Sequence, residues 1–301
     1  MSIKLNLVIF SLSMSAISCV GVKKMTEARE KLGVIKEAQS VEVNQLKQMA
    51  TTSDKKLSEN KIDSIISNRF AFRVGKINKQ IDSVLTEITV LDSLMENKKE
   101  FKKAYKKIII PKLALLDSFR KENTKRSQVY IMLEDGLNTA TYTLFDLAAF
   151  FGPGKYAIPP DKVEIAANSF SPLVDSVLSF SNKYKNFSQK ATLVILGFAD
   201  GTGFDPQSAL YTELAGLIGR SDVSKEDLNK KLSELRAETL INQLKSQFIK
   251  KLGGKEETET IKVEYLGHGK GELLPFKSIT DYRLDDERRR IVLCYWAVLP
   301  D

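Results

Sequence analysis

The chain has 301 residues, 43% of them hydrophobic and 28% charged, so it can bury a core and is not a disordered tail. Its 46 basic and 38 acidic residues give a net charge of +8, which favours an anionic partner such as a membrane surface, a cell-wall polymer or nucleic acid. Its two cysteines, Cys19 and Cys294, lie in very different settings, so a disulfide scaffold does not organise the fold.

The N-terminus has the pattern of a signal peptide. Lys4 is followed by the apolar and small residues LNLVIFSLSMSAIS, a stretch too short to span a membrane. The alternative, a buried core segment, is disfavoured because nothing after Cys19 continues the pattern. The ending A-I-S-C resembles the lipobox of bacterial lipoproteins, which implies removal of residues 1–18 and lipidation of Cys19. No aspartate follows Cys19, and by the same resemblance this implies an outer-membrane lipid anchor with the protein on the periplasmic face.

Residues 19–138 are rich in charge and poor in glycine and proline, which predicts a helical region. Its clearest feature is an a/d seam formed by Ile77, Ile81, Val84, Ile88, Leu91 and Met95. This spacing predicts a coiled coil or helical hairpin. Pro111 is expected to end or kink the next helix. The region is either a spacer or dimerisation arm, giving a homo-oligomer or an envelope protein complex, or a helical bundle that packs within its own domain.

The composition changes near residue 138, and residues 139–301 alternate between strand and helix patterns. TATYTLF predicts a strand, Lys162–Tyr184 a helix, ATLVILGF a buried strand, and IKVEYLG and RRRIVLCYWAVL two more strands. S-K-E-D at 224–227 matches a capping box that opens another helix. The predicted fold class is α+β, a two-layer β-α-β-α-β-β sandwich. The helix predicted for residues 162–184 should turn five side chains inward: Ile165, Phe170, Leu173, Val177 and Phe180.

The helix containing LNKKLSELRAETLINQL, residues 228–244, carries two stripes at helical spacing. One is apolar and is predicted to be buried: Leu228, Leu232, Leu235, Ile241 and Leu244. The other, Asn229, Ser233 and Arg236, is rotated by about 100° and should form the rim of the helix. An arginine at a rim either extends into water without a role or binds a ligand.

Four motifs in order resemble the OmpA-like C-terminal domain, a module that binds peptidoglycan, over about residues 141–300. G-F-A-D-G-T-G at 197–203 matches the family's G-H-T-D-x-x-G, and L-N-K-K-L-S-E-L-R-A at 228–237 matches N-x-x-L-S-x-x-R-A. G-H-G-K-G-E-L-L-P and R-R-R-I-V match the last two motifs. F-G-P-G-K-Y-A-I at 151–158 is similar to the entry segment of peptidoglycan-associated lipoproteins. The sequence departs from the family at Phe198 and Ala199, which replace His and Thr, and at Gly154, which replaces an aspartate.

The resemblance implies a pocket for the free end of diaminopimelate in the peptide stem. Asp200 would meet its ammonium, and Arg236 would grip its carboxylate through two parallel hydrogen bonds. The implied peptidoglycan-binding residues are Asp200, Arg236, Asn229, Gly203, Thr202 and Gly154. The segment at about 204–226 is an insertion with an apolar helical centre, which covers the site, shapes it or docks a partner.

The sequence offers little for other chemistry. His268 is the one histidine and lies between two glycines, and no Cys and His cluster has metal-ligand spacing, so neither an enzyme, a metal nor a cofactor is predicted. Nucleic-acid binding would need base-stacking aromatic residues among the basic ones, and the predicted export to the periplasm argues against it. Cys294 and Trp296 are predicted to be core. The expected function is therefore an outer-membrane lipoprotein that tethers the membrane to peptidoglycan; the alternative is a structural subunit of an envelope or secretion assembly.

Overall fold

A computed structural model of the chain describes residues 2–145, 154–220, 222–276 and 278–301, and the side chains of these residues except 2–20 and 123–125. The helices are α1 (Ser2–Ser58), α2 (Ser64–Glu96), α3 (Lys98–Ala104), α4 (Ile110–Lys121), α5 (Asn123–Thr139), α6 (Val163–Lys183), α7 (Ala209–Ile218) and α8 (Lys225–Lys251). The strands are β1 (Thr141–Phe145), β2 (Gln189–Gly197), β3 (Ile261–Gly269) and β4 (Val292–Pro300). The fold is mixed α+β, mostly helical with a four-stranded sheet. Within the described ranges, no helix combines the length and the apolar character needed to cross a membrane.

The chain divides into two compact units, of which the first comprises residues 1–51 and 71–131. Its core joins side chains of α1, α2, α3 and α4, including Leu32, Ile88, Phe101 and Leu113. Five of the six predicted seam residues are buried, and Ile77 is half-buried. The seam thus packs within the chain, as the helical-bundle alternative predicted, while oligomerisation through this region stays a prediction.

Pro111 does not end its helix. A single π-helical turn, Tyr105–Ile109, joins α3 to α4, and Pro111 lies in the first turn of α4. Proline has no N–H to donate to the carbonyl one turn back, and its ring crowds that carbonyl. A π turn inserts one extra residue, so the helix can continue past the proline.

The second unit comprises residues 52–70 and 132–301 and contains the sheet, whose strand order is β1-β4-β2-β3. β4 pairs antiparallel with both β1 and β2, whereas β2 and β3 are parallel. A parallel pair needs a long crossover, which here contains α7 and α8. Because β4 runs opposite to β2 and β3, the end of β2, the end of β3 and the start of β4 meet at one edge of the sheet.

The core of the second unit lies between this sheet and helices α6 and α8. Phe170, Leu173, Val177 and Phe180 are buried as predicted, but the prediction for Ile165 is wrong, because its residue is 60% exposed. The neighbouring Ala166 takes the inward position instead. Cys294 and Trp296 on β4 are buried, which confirms their predicted place in the core.

Residues 52–70, which the sequence assigned to the helical region, belong to the second unit. Lys56 donates from Nζ to the carbonyl oxygens of Leu137, Asn138 and Ala140, at 2.6, 2.7 and 2.9 Å. These are carbonyls at the C-terminus of α5, where a cation is favourable. Arg69 forms an ion pair of 2.5 Å with Glu264 of β3. The segment is thus fixed to the sheet unit at two points.

The inserted segment forms α7, in agreement with its apolar helical pattern. Ser208 caps the first turn by accepting from Tyr211 N, and Gly219 ends the helix in the left-handed conformation. Ser224 and Asp227 form the predicted capping box at the start of α8. Leu214 of α7 is buried in a small cluster with Ala199, Leu228 and Leu232. The insertion therefore covers one side of the corner between the end of β2 and the first turns of α8.

Candidate functional site

The candidate site lies at the sheet edge where β2 and β3 end, and glycines let α8 approach this edge. A Cβ atom added at Gly197 would lie 2.0 Å from the Ser233 carbonyl oxygen, and one added at Gly269 would lie 2.4 Å from the Lys230 carbonyl oxygen. Neither glycine needs an unusual φ, so the requirement is for space. Ser233 fixes the contact because its Oγ accepts from Gly271 N at 2.9 Å.

The stripe predicted to form the rim of α8 is buried. Asn229, Ser233 and Arg236 are each at most 1% exposed. The predicted apolar stripe is confirmed at Leu228, Leu232 and Leu244, which are buried, whereas Leu235 and Ile241 are only half-buried. The rim prediction for the polar stripe is therefore wrong. The stripe is buried because α8 approaches the strands closely at Gly197 and Gly269, so that the polar face of the helix lies against the sheet.

Arg236 is the largest side chain that is fully buried in the described residues. Its Nη1 donates to the Phe198 carbonyl oxygen at 2.9 Å, and its Nε donates to the Lys155 carbonyl oxygen at 3.1 Å. Its Nη2 is buried and has no hydrogen-bond partner among the described residues. Burial lowers the pKa of Arg236 to about 10, and Arg290 lowers it as well, while the Asp200 carboxylate opposes both. The guanidinium thus stays charged at neutral pH.

Asp200 is 6% exposed and is held by its own chain. Its Oδ1 accepts from the hydroxyl of Thr202 and, at 3.2 Å, from the Thr202 N–H. Its Oδ2 pairs with Nη1 of Arg290 at 3.1 Å. Burial raises the pKa of this carboxyl, but the bonds from Thr202 and Arg290 outweigh it and leave the pKa below its ordinary value. Asp200 is therefore ionised at neutral pH.

Asp200 and Arg236 are neighbours, but within the described structure they share neither a hydrogen bond nor an ion pair of 4.0 Å or less. Their proximity shows in the hydrogen bond from Arg236 to the carbonyl oxygen of Phe198, two residues before Asp200. The two groups that the sequence placed on one site are brought to the same corner of the fold. The direct counter-ion of Asp200 is Arg290.

Asn229 contributes a second polar contact. Its Nδ2 donates to Oε1 of Glu272 at 2.7 Å, and Lys225 pairs with the same oxygen at 3.2 Å. Arg289 is buried beside them and donates to the carbonyl oxygens of Glu272 and Arg283, at 2.6 and 3.3 Å. Its Nη1 lies where a Cβ atom on Gly201 would crowd it.

The remaining predicted residues lie in different settings. Thr202 is exposed and bonds Asp200, and Gly203 is exposed with open space around it. Gly154 adopts a φ of +66°, and a Cβ atom there would lie 2.8 Å from Leu210 of α7. Residues 151–153 of the F-G-P-G-K-Y-A-I segment, and the side chain of Cys19, lie outside the described residues.

Sequence reasoning noted Arg289 and Arg290 as motif matches but gave them no role, and it missed Glu272. Arg290 lies two residues before β4, whose start is paired with the end of β2 through Val292 and Gly197. That antiparallel pairing places Arg290 beside Asp200. A signal was available in the arginines before an apolar strand, because a cation buried at the start of such a strand needs a hydrogen-bond acceptor or an anion nearby.

Among the described residues, no group of three or more His, Cys, Asp or Glu side chains is placed to hold a metal ion. Burial raises the pKa of the Cys294 thiol, so this thiol is protonated at neutral pH. The described side chains at this corner can contact a ligand through charge and hydrogen bonding.

No protein-family model matches the chain, and a search of the curated proteins gives no match. A search of solved structures includes the periplasmic domain of Helicobacter pylori MotB (residues 78–256) among its matches. The identity is 11%, the match covers 52% of this chain and 76% of that chain, and the TM-score is 0.28. A likeness of this size carries no argument about what this chain binds.

Proposed function

We propose that the chain is an outer-membrane lipoprotein that binds peptidoglycan noncovalently, through the diaminopimelate of the peptide stem, and so tethers the membrane to the wall without enzymatic activity. Three features support this function. The N-terminus resembles a lipobox, four motifs resemble the OmpA-like domain in the right order, and the net charge of +8 suits an anionic polymer.

The main observation that supports the binding site is that the buried guanidinium of Arg236 has hydrogen-bond donors without an acceptor among the described residues. A guanidinium has five N–H groups. Among the described residues, the Phe198 and Lys155 carbonyls accept from Nη1 and Nε, and Nη2 donates to nothing. An unpaired charged donor inside a protein is costly, so a site of this kind favours an acceptor from outside. A carboxylate fits because its two oxygens can accept in parallel from Nη1 and Nη2.

The binding function is tested by sedimenting the purified full-length chain with isolated sacculi in a nonionic detergent. We expect the chain to pellet with the sacculi and to be released by free diaminopimelate. Arg236→Met, which keeps most of the side-chain volume but has no donors, should stay in the supernatant. Arg283→Gln is the matched control, because it removes a cation from an 80% exposed side chain nearby. A parent chain that remains in the supernatant would contradict peptidoglycan binding.

The membrane anchor is tested separately with Cys19→Ser. This variant cannot be lipidated at residue 19, so we expect it in the soluble periplasmic fraction, while the parent fractionates with the outer membrane. The experiment should be made in cells whose wall has been digested, because wall binding would otherwise retain both proteins. Membrane fractionation of the variant equal to that of the parent would contradict the lipobox interpretation.

A second candidate function is that of a structural subunit of an envelope assembly, in which this domain makes protein contacts. It is favoured by exposed leucines on the loop after β3, since Leu273 and Leu284 are 64% and 66% exposed. Leu284 adjoins the site, because its carbonyl oxygen accepts from Gly201 N at 2.6 Å. The two functions separate in the sedimentation experiment. A subunit of this kind would pellet only with its protein partners present, and Arg236→Met would not change that.

A further inference from the structure

Lysines gather at one end of the first unit. The short helix α3 and the π-helical turn after it bury Phe101, Ala104 and Ile109 and leave their lysines exposed. Six exposed lysines belong to this segment: Lys98, Lys99, Lys102, Lys103, Lys106 and Lys107. Two more, Lys23 and Lys24 of α1, are exposed as well. We call these eight side chains the basic end.

Two contacts place the lysines of α1 next to those of α3. Nζ of Lys24 lies 5.5 Å from the centre of the Tyr105 ring. A Cβ atom added at Gly21 would lie 3.5 Å from Cε of Lys102. The two groups of lysines therefore form one surface.

This surface holds much of the excess charge of the chain. Residues 21–30 and 96–110, which contain the basic end, hold nine basic residues and four acidic ones. The four acidic residues are Glu27, Glu30, Glu96 and Glu100. The resulting net charge of +5 is more than half of the +8 of the whole chain, although these are 25 of its 301 residues. An anion is thus attracted to this end more than to most of the chain.

The lysines of α3 also repel one another. Lys98 and Lys102 are four residues apart on this helix, and so are Lys99 and Lys103. Like charges at this spacing destabilise a helix. The ion pair of Lys103 with Glu100, at 3.2 Å, relieves only part of this repulsion. A surface of negative charge beside α3 would relieve the rest.

The basic end lies next to the proposed lipid anchor. Cys19 precedes Gly21 by two residues, and consecutive Cα atoms are about 3.8 Å apart, so the two Cα atoms lie within about 8 Å of each other in any conformation. Electrostatic attraction in solution acts over about 10 Å at moderate salt. Acyl chains on Cys19 would therefore hold these lysines within reach of phospholipid headgroups.

Exposed apolar side chains accompany the lysines. Val22 lies beside Lys23 along the chain, and Ile108 and Ile110 follow Lys107; all three apolar side chains are exposed. Cations next to exposed apolar residues suit the boundary between headgroups and acyl chains, where each type finds a favourable surrounding.

We infer that the basic end binds the anionic headgroups of phospholipids and so forms a second membrane contact beside the lipid anchor. This rests on the proposed function, because lipidation of Cys19 is what brings the surface to the membrane. Each lysine close to an anionic bilayer strengthens binding by roughly fivefold. The wall polymer is also anionic, but the short distance from Cys19 favours the membrane as the partner.

Vesicles test the inference in a chain that cannot be lipidated. Purified full-length Cys19→Ser is sedimented with vesicles of phosphatidylcholine alone, and with vesicles in which about a third of the lipid is phosphatidylglycerol. We expect binding to the anionic vesicles to be about tenfold tighter or more at low salt. The preference should vanish near 1 M salt, where the Debye length is about 3 Å.

Replacing four lysines of the basic end should remove most of this preference. The variant combines Lys102→Gln, Lys103→Gln, Lys106→Gln and Lys107→Gln in the Cys19→Ser chain. A matched control removes the same charge from four exposed lysines elsewhere: Lys76→Gln, Lys79→Gln, Lys185→Gln and Lys255→Gln. We expect a loss of about tenfold or more in the first variant and a change within about twofold in the control. Residues 1–18 are the same in every chain, so their contribution cancels.

The outcomes separate the inference from the proposed function. Equal binding of Cys19→Ser to neutral and anionic vesicles would overturn the inference, even if the fourfold variant does not fold. Equal losses in the two fourfold variants would also overturn it, since the net charge of the whole chain would then be responsible. A basic-end variant that keeps its vesicle binding but no longer pellets with sacculi would mean that these lysines bind the wall, which again overturns it. A preference for anionic vesicles in a chain whose native Cys19 proves unlipidated would uphold headgroup binding and contradict the lipid anchor.

Discussion

Arg236→Ala should lower the free energy of unfolding by about 2 to 4 kcal/mol at neutral pH. The substitution leaves the carbonyls of Phe198 and Lys155 without their donor, and each buried unsatisfied group costs about 1 to 3 kcal/mol. It also opens a cavity where a fully buried side chain stood. The substitution also removes a charged group from a buried position, which offsets part of this loss. Chemical denaturation followed by circular dichroism measures the change.

Arg236→Met serves as the companion variant. Its side chain fills most of the volume, so it avoids the cavity, but it leaves the carbonyls of Phe198 and Lys155 without a donor just as alanine does. We therefore expect Arg236→Met to be less destabilising than Arg236→Ala by the cavity cost alone. Arg283→Ala, at an exposed ion pair, should change the unfolding free energy by about 0.5 kcal/mol or less. An Arg236→Ala variant as stable as the parent would mean that Arg236 extends into water at a helix rim.

Gly197→Ala should cost about 3 kcal/mol or more. The new Cβ atom would meet the Ser233 carbonyl oxygen at 2.0 Å, the Ser233 carbonyl carbon at 3.0 Å and the Ala237 nitrogen at 3.3 Å. All three belong to the backbone of α8, which cannot rotate away as a side chain does. Overpacking a core commonly costs about 1 to 3 kcal/mol, and here α8 or β2 must move to accept the methyl group. The measurement is again the free energy of unfolding in denaturant.

Gly203→Ala is the matched control for stability. Gly203 follows the same strand, its φ is not in the left-handed region, and no atom lies within 4 Å of an added Cβ atom. We expect a change of about 0.5 kcal/mol or less. Equal effects of the two substitutions would show that the close contact between β2 and α8 does not limit the fold.

Periodicity predicted most of the elements in the second unit. The strands at β2, β3 and β4, the helix α6, the capping box of Ser224 and Asp227 and the helical centre of the insertion all follow local patterns. Local patterns could not predict which face of α8 packs on the sheet. The stripe of Asn229, Ser233 and Arg236 is more polar than the leucine stripe beside it, yet all three of its residues are buried, because two glycines on the strands leave room for it.

The site itself was predictable only as a set of motif positions. The motif match predicted that Asp200 and Arg236 share one pocket, where each would contact a different group of the ligand. The partner of Asp200 depends on the antiparallel pairing of β4 with β2, which no spacing in the sequence shows. The burial of Arg236 likewise depends on carbonyls from Phe198 and Lys155, which lie far from it along the chain.

The second unit is discontinuous along the chain, because residues 52–70, which include Lys56 and Arg69, belong to it. This arrangement affects the order in which the unit can fold. Contacts such as Arg69 to Glu264 can form only after nearly the whole polypeptide is available, and closing so large a loop costs entropy before any contact compensates for it. A chain that crosses a membrane N-terminus first would expose this early segment until the last strands arrive. Such a delay leaves apolar residues like Ile62, Ile66 and Phe70 open to chaperones that hold unfolded chains.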